Sequence, residues 1–260
     1  MRFLLVGFLL LAPAAYPQTS LAPTANDPQA VTLASQALVA LTGSIQVNDV
    51  TLTGTGTRTA GSDVQSGSVS LKALGTLEAR LDLSTTDGTL SIIRNLDSNS
   101  SPQGFWIGLD GNVHSMAGQN CVTDAAWFFP ALSILSQLSN PSVTTTYIGQ
   151  ETKNGAAVQH LHFVVQSSDP TGFFQQLSAE DVYLDASSNL PVVIAFNAHS
   201  DTDASTNIPV EIDFSNYQAV SGVQVPFRIQ MQFNGSLLLD LAIQSATWNS
   251  GLTDATFSPS

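Results

Sequence analysis

The apolar and polar positions divide the chain into one helical stretch, a long run of strand-like segments and a single interruption. Ala30, Val31, Leu33, Ala34, Ala37, Leu38 and Leu41 recur at intervals of three and four, the spacing of one helical stripe. Asp27 stands at the N-cap position with Pro28 behind it, and Gly43 follows as a C-cap. The spacing predicts a helix of about four turns, whose apolar stripe has to pack on a larger surface.

From Ile45 onward the period changes to two. Leu77, Ala79, Leu81 and Leu83 fall on one face, and Val210, Ile212 and Phe214 alternate with Glu211, Asp213 and Ser215. Asp87-Gly88, Asp110-Gly111, Asn154-Gly155 and Asn234-Gly235 lie between such runs and supply the positive φ that tight hairpins need. These signals predict an antiparallel meander of roughly eleven to thirteen strands, mainly β in class. The polar stretch 198–207 reads as a loop, and Phe173, Phe174 and Leu177 as one short turn of helix.

The interruption is residues 124–138. Trp127, Phe128, Phe129, Leu132 and Leu135 make it strongly apolar, Thr123 or Asp124 can cap it, and Pro130 kinks it or starts a second helix. A kinked mid-chain helix is the expectation.

The first residues carry an export signal. Met1-Arg2 is a short positive region, an apolar run follows to Ala12, and Ala12-Pro13-Ala14 fits a cleavage site. Residues 1–14 read as a signal peptide, with Ala22 the alternative end, 15–27 as a linker and 28–260 as one domain. The apolar run is too short to span a bilayer, so no transmembrane span is expected after its removal. The protein is expected to be periplasmic or secreted.

Composition narrows the function classes. Twenty acidic against seven basic side chains give a formal charge of −13, which argues against nucleic acid and against a polybasic membrane dock. Only 10% of residues are charged while 43% are hydrophobic and patterned, so the acidity is not that of a disordered tail. Cys121 is the only cysteine; it forms no internal disulfide and reads as a small buried or loop residue.

Candidate chemistry is thin. His160 and His162 share a strand face, as half of a zinc site or as a cross-strand pair, with no third ligand at suitable spacing. Residues 199–203, with Asp201 and Asp203, read as a solvated turn lacking the glycine and glutamate of a calcium loop. Neither a nucleophile elbow nor a phosphate loop is present. The reading is a non-enzymatic protein with no catalytic residue, metal or cofactor.

Several short motifs follow one another in a distinctive order. They are Tyr147-x-Gly149-x-Glu151, Tyr183-Leu184-Asp185, Leu190-Pro191, Gly222-x-x-Val225-Pro226 and Trp248-Asn249-x-Gly251-Leu252-x-Asp254-x-x-Phe257. With the preceding helix and meander, they resemble the LolA-like superfamily, which includes outer-membrane lipoprotein carriers. The resemblance is sharpest over residues 147–257. It implies an incomplete, strongly curved antiparallel half-barrel with an apolar interior, its opening covered by the N-terminal and mid-chain helices. It also implies a monomer that holds an acyl chain, lipid or lipoprotein between sheet and helices. The alternative is an envelope interaction module with a filled core and another envelope protein as partner. The ligand-binding residues expected are Trp106 in the sheet and Trp127, Phe128, Phe129, Leu132 and Leu135 as an apolar lid.

Overall fold

A computed structural model describes residues 26–259. The segments expected to be a signal peptide and most of a linker lie outside this range. Helix α1 spans Pro28–Thr42; Asp27 caps it by accepting from the Gln29 N–H, and Gly43 closes it at φ 59°. The strands are β1 (Asp49–Ala60), β2 (Asp63–Leu74), β3 (Glu78–Thr85), β4 (Gly88–Leu96), β5 (Pro102–Ile107), β6 (Val113–Ser115), β7 (Val143–Lys153) and β8 (Ala156–Val165). A short helix α2 (Phe173–Leu177) precedes β9 (Glu180–Asp185), β10 (Pro191–Ser200), β11 (Asp203–Val220), β12 (Val223–Phe233) and β13 (Ser236–Trp248).

All thirteen strands form one antiparallel sheet in the order β6-β5-β4-β3-β2-β1-β13-β12-β11-β10-β9-β8-β7. The first and last strands pair at its centre, and β6 and β7 are free edges, so the sheet curls without closing. This is the half-barrel that the sequence predicts. Lys153 pairs with Ala156 and Phe233 with Ser236, leaving Asn154-Gly155 and Asn234-Gly235 as two-residue turns with both φ angles positive. Ser221-Gly222 makes a further turn of this kind, at φ 43° and 90°.

One expectation needs correction, and a second takes a more specific form. The stretch 198–207 is not a loop: β10 runs on to Ser200, β11 begins at Asp203, and only a two-residue turn separates them. The Asp203 carboxylate organises that turn by accepting from the Ser205 N–H and the Ser205 and Thr206 hydroxyls. The kinked mid-chain helix of residues 124–138 is present, in 3₁₀ rather than α form. These residues hold two 3₁₀ turns, Pro130–Leu132 and Ile134–Gln137, after an earlier one at Gly118–Cys121. Phe129 and Ser133 are extended, and the Ile134 N–H donates to Asp124 Oδ2 at 2.6 Å instead of to a carbonyl one turn back. Proline supplies the expected break, but local side-chain hydrogen bonds outcompete the helix ladder.

This irregular cover packs with α1 against the concave face of the sheet. Ala30, Ala34, Ala37 and Leu41 of α1 join Phe128, Phe129, Leu132 and Leu135 and inward residues of β1 to β3 and β7 to β13 in one buried cluster. Three charged groups fix the cover to the sheet. Arg94 of β4 donates to the carbonyls of Asn120, Cys121 and Thr123. Glu180 of β9 accepts from the Asp124 N–H through Oε1 at 2.7 Å. Burial pushes the Asp124 carboxyl up to about 7. It pushes Glu180 well above the usual carboxylate range, with the charge of Asp124 acting in the same direction. Gly104 lets the cover approach, because a Cβ there would lie 3.0–3.1 Å from Arg94, Met116 and Cys121.

At the start of the central strand β1 the chain end wraps a single carboxylate. Asp49 accepts from the N–H groups of Ser250, Gly251 and Leu252, which is the physical content of the C-terminal motif. Gly54 sits at a bulge between β1 and β13, and a Cβ there would lie 2.1 Å from the Ala242 carbonyl oxygen. Gly54→Ala should therefore destabilise the protein by about 2–3 kcal/mol in urea titration, since the obstacle is backbone that cannot rotate away. A loss under about 0.5 kcal/mol would mean that the bulge re-forms elsewhere.

Candidate functional site

Antiparallel register places paired residues on the same face. Leu71 of β2 pairs with Leu81 of β3, Leu81 with Ile92 of β4, Ile92 with Trp106 of β5, and Trp106 with His114 of β6. This line crosses the concave side of the sheet from the buried Leu71 and Leu81 to Ile92 and Trp106, which are exposed. A second line runs from Gln65 through Arg58 and Leu239 to Met231. Between them lies a cavity of about 720 Å³, open to solvent and walled mainly by Leu81, Leu83, Leu90, Ile92, Trp106 and Leu239. The hairpin turns β1–β2, β3–β4, β5–β6 and β12–β13 surround its mouth.

Trp106 is 44% exposed and its ring lies flat on His114, with centroids 3.9 Å apart and planes 11° from parallel. The polar groups at the mouth are Arg58, Asp63, Gln65, Asp110 and His114. Arg58 pairs with Asp63 at 3.3 Å, both partly exposed. Asp110 accepts from the backbone and side chain of Asn112, and these hydrogen bonds hold its carboxyl below the usual range.

The six residues predicted to bind ligand separate in space. Trp106 lines the cavity. Trp127, Phe128, Phe129, Leu132 and Leu135 are all buried in the core beneath the cover, and none lines this cavity. Trp127 and Phe128 meet edge to face at 5.6 Å. With α1 these side chains fill part of the concave space, in one buried cluster with inward residues of β1 to β3 and β7 to β13. The cavity walls from β3, β4 and β13 escape sequence reasoning because each strand contributes only one or two apolar positions. The Asp87-Gly88 signal places the β3–β4 turn one residue late: Thr85 pairs with Gly88, and that register is what sets Leu81 opposite Ile92.

The histidine pair lies on the convex face. His160 Nε2 and His162 Nδ1 both reach Asp181 Oδ1, at 2.9 and 2.8 Å, and His160 also meets Glu151. The His160 ring stacks on Tyr183. The carboxylates thus occupy the imidazole nitrogens that face them, and the group serves as a cross-strand network. Cys121 is buried beneath the cover, and burial raises its thiol pKa.

No protein-family model matches the chain, and no curated protein matches it in sequence. Solved structures do match. An outer membrane lipoprotein-sorting protein domain from Vibrio parahaemolyticus superposes with a TM-score of 0.57 at 13% identity, over 88% of this chain and 96% of that one. A LolA superfamily protein from Nitrosomonas europaea superposes at 0.52 with 10% identity, over 88% and 97%. The fold is that of the LolA superfamily. A DUF1329 family protein from Desulfovibrio piger shares the LolA-like fold, at a TM-score of 0.58 and 11% identity over 90% and 98%. At such identities the likeness concerns the fold alone. Among the described residues, no helix is long and apolar enough to cross a membrane.

Proposed function

We propose that this protein is an extracytoplasmic, non-enzymatic binding protein that carries an acyl chain or lipid in the Trp106 cavity. One observation carries the reading: an apolar cavity of about 720 Å³ stands open on the concave side of a LolA-like sheet. Its size lies within the range of roughly 300–1,000 Å³ that small-molecule sites occupy. Removing a hydrocarbon chain from water is worth about 0.8 kcal/mol per methylene, so eight or so sequestered methylenes supply the affinity without any charged contact. The apolar run near the N-terminus supports export, and the fold is shared with a lipoprotein-sorting domain. The buried aromatic residues of 124–138 act here as a plug that confines cargo to the remaining part of the concave face.

The experiment is displacement of N-phenyl-1-naphthylamine from the mature protein by medium-chain amphiphiles, with native mass spectrometry of the purified material. Micromolar binding is expected, and Leu83→Trp should weaken it at least about tenfold by filling the cavity. A probe that does not bind, or binds Leu83→Trp equally well, would leave only the interaction-module reading. That alternative draws on the filled part of the concave face, and it requires no ligand.

A further inference from the structure

The polar groups around the cavity mouth are unequal in sign, and this bears on the cargo's head. The inference rests on the cavity reading above. The β1–β2, β3–β4 and β5–β6 turns bring Asp63, Asp87 and Asp110 to the same end of the sheet as the mouth. The β3–β4 turn abuts β5–β6, since a Cβ on Gly88 would lie 2.7 Å from the Leu109 carbonyl oxygen. Arg58 is the one guanidinium in the cavity wall, and Asp63 already neutralises it at 3.3 Å. Asp110 has no arginine or lysine partner among the described residues; its only hydrogen-bond donors are on Asn112. His114, the remaining group able to carry positive charge, is stacked on Trp106 and stands near enough to Asp110 to help lower its pKa, after the hydrogen bonds from Asn112.

Gln65 adds an independent observation. It pairs across β1–β2 with Arg58 on the concave face, lines the cavity, and its Oε1 is buried with no hydrogen-bond partner. A buried acceptor of this kind calls for a donor. The whole chain, at a formal charge of −13, adds a field of the same sign.

We infer that the cavity selects amphiphiles whose head group is a cationic hydrogen-bond donor and disfavours those with a carboxylate or phosphate head. An ammonium at the mouth would face Asp110 and donate to Gln65 Oε1. A carboxylate there would meet the Asp110 charge and would have to take Arg58 from Asp63.

The test compares dodecylammonium, dodecanol and dodecanoate as competitors of N-phenyl-1-naphthylamine, on the full mature chain at neutral pH and low ionic strength. The three share one hydrocarbon tail, so head-group chemistry alone differs. Dodecylammonium is expected to compete about tenfold better than dodecanoate, with dodecanol between them, and the gap should shrink in high salt. Asp110→Asn should narrow the gap, and Arg58→Gln, which frees Asp63, should widen it. Both variants alter partly exposed mouth groups, and a thermal melt checks that each is folded. Equal or better competition by dodecanoate, or its specific loss in Arg58→Gln, would overturn the inference while leaving the cavity reading intact. Failure of all three competitors would remove the cavity reading itself, and this inference with it.

Discussion

Replacing Arg94 by methionine should destabilise the protein by about 3–5 kcal/mol, the usual consequence of removing one partner from a buried charged network. The methionine keeps most of the hydrocarbon volume, so the loss reports the guanidinium. Three carbonyls of the cover, on Asn120, Cys121 and Thr123, would lose their donors, two of them in buried hydrogen bonds. The Asp124–Glu180 pair would also lose its nearby positive charge. In a chain of this size the midpoint of thermal unfolding should fall by about 10 °C or more. Hydrogen exchange should localise the loosening to residues 118–137. Arg58→Met supplies the contrast: that ion pair is partly exposed, so its loss should stay within about 1 kcal/mol. Equal effects of the two substitutions would show that burial of Arg94 has no bearing on how the cover is held.

The second large effect is on the pH dependence of stability. Asp124 and Glu180 both have folded-state pKa values raised above their unfolded values, chiefly by burial. The native state therefore holds protons that the unfolded chain releases. Their contribution is fully present below the unfolded carboxylate range of about 4 and is lost as pH rises through about 7 and beyond. The slope approaches 1.4 kcal/mol per pH unit for each proton retained. Lowered carboxylates act in the opposite direction at acid pH. At Asp49 the upward pull of burial is outweighed by hydrogen bonds from Ser250, Gly251 and Leu252. At Asp203 the hydroxyls of Ser205 and Thr206 bring the pKa down to about 2. Stability conferred by these groups is lost as pH falls through their folded values. Urea titrations should therefore show a maximum at acidic pH, about 4–4.5, and a decline of several kcal/mol toward pH 8. Glu180→Gln keeps an oxygen for the Asp124 N–H and cannot ionise, so it should flatten the alkaline side. An unchanged alkaline decline in that variant would assign it to other groups.

These two predictions concern the cover, which sequence reasoning locates as a kinked helix without its 3₁₀ form. Trp127, Phe128, Phe129, Leu132 and Leu135 are legible as an apolar segment over the concave face because their hydrophobicity is local information. Their conformation is not local. The Ile134 N–H donates to Asp124, whose own N–H donates to Glu180, 56 positions along the chain. No helical period can announce such a partner. The same limit hides the cavity. Leu81, Ile92 and Trp106 come from separate strands and become one wall only through register.

What the chain determines by itself is local and periodic. Alternation, the Asn-Gly turns and the Asp27-Pro28 cap dictate an antiparallel meander behind one amphipathic helix, because each acts within a few residues. The order of short motifs adds the superfamily resemblance. Which part of the concave face is plugged, and which stays open, was decided only in three dimensions. That choice depends on how far the cover reaches across a curled sheet, and the reach is set by the long-range anchors of Arg94 and Glu180.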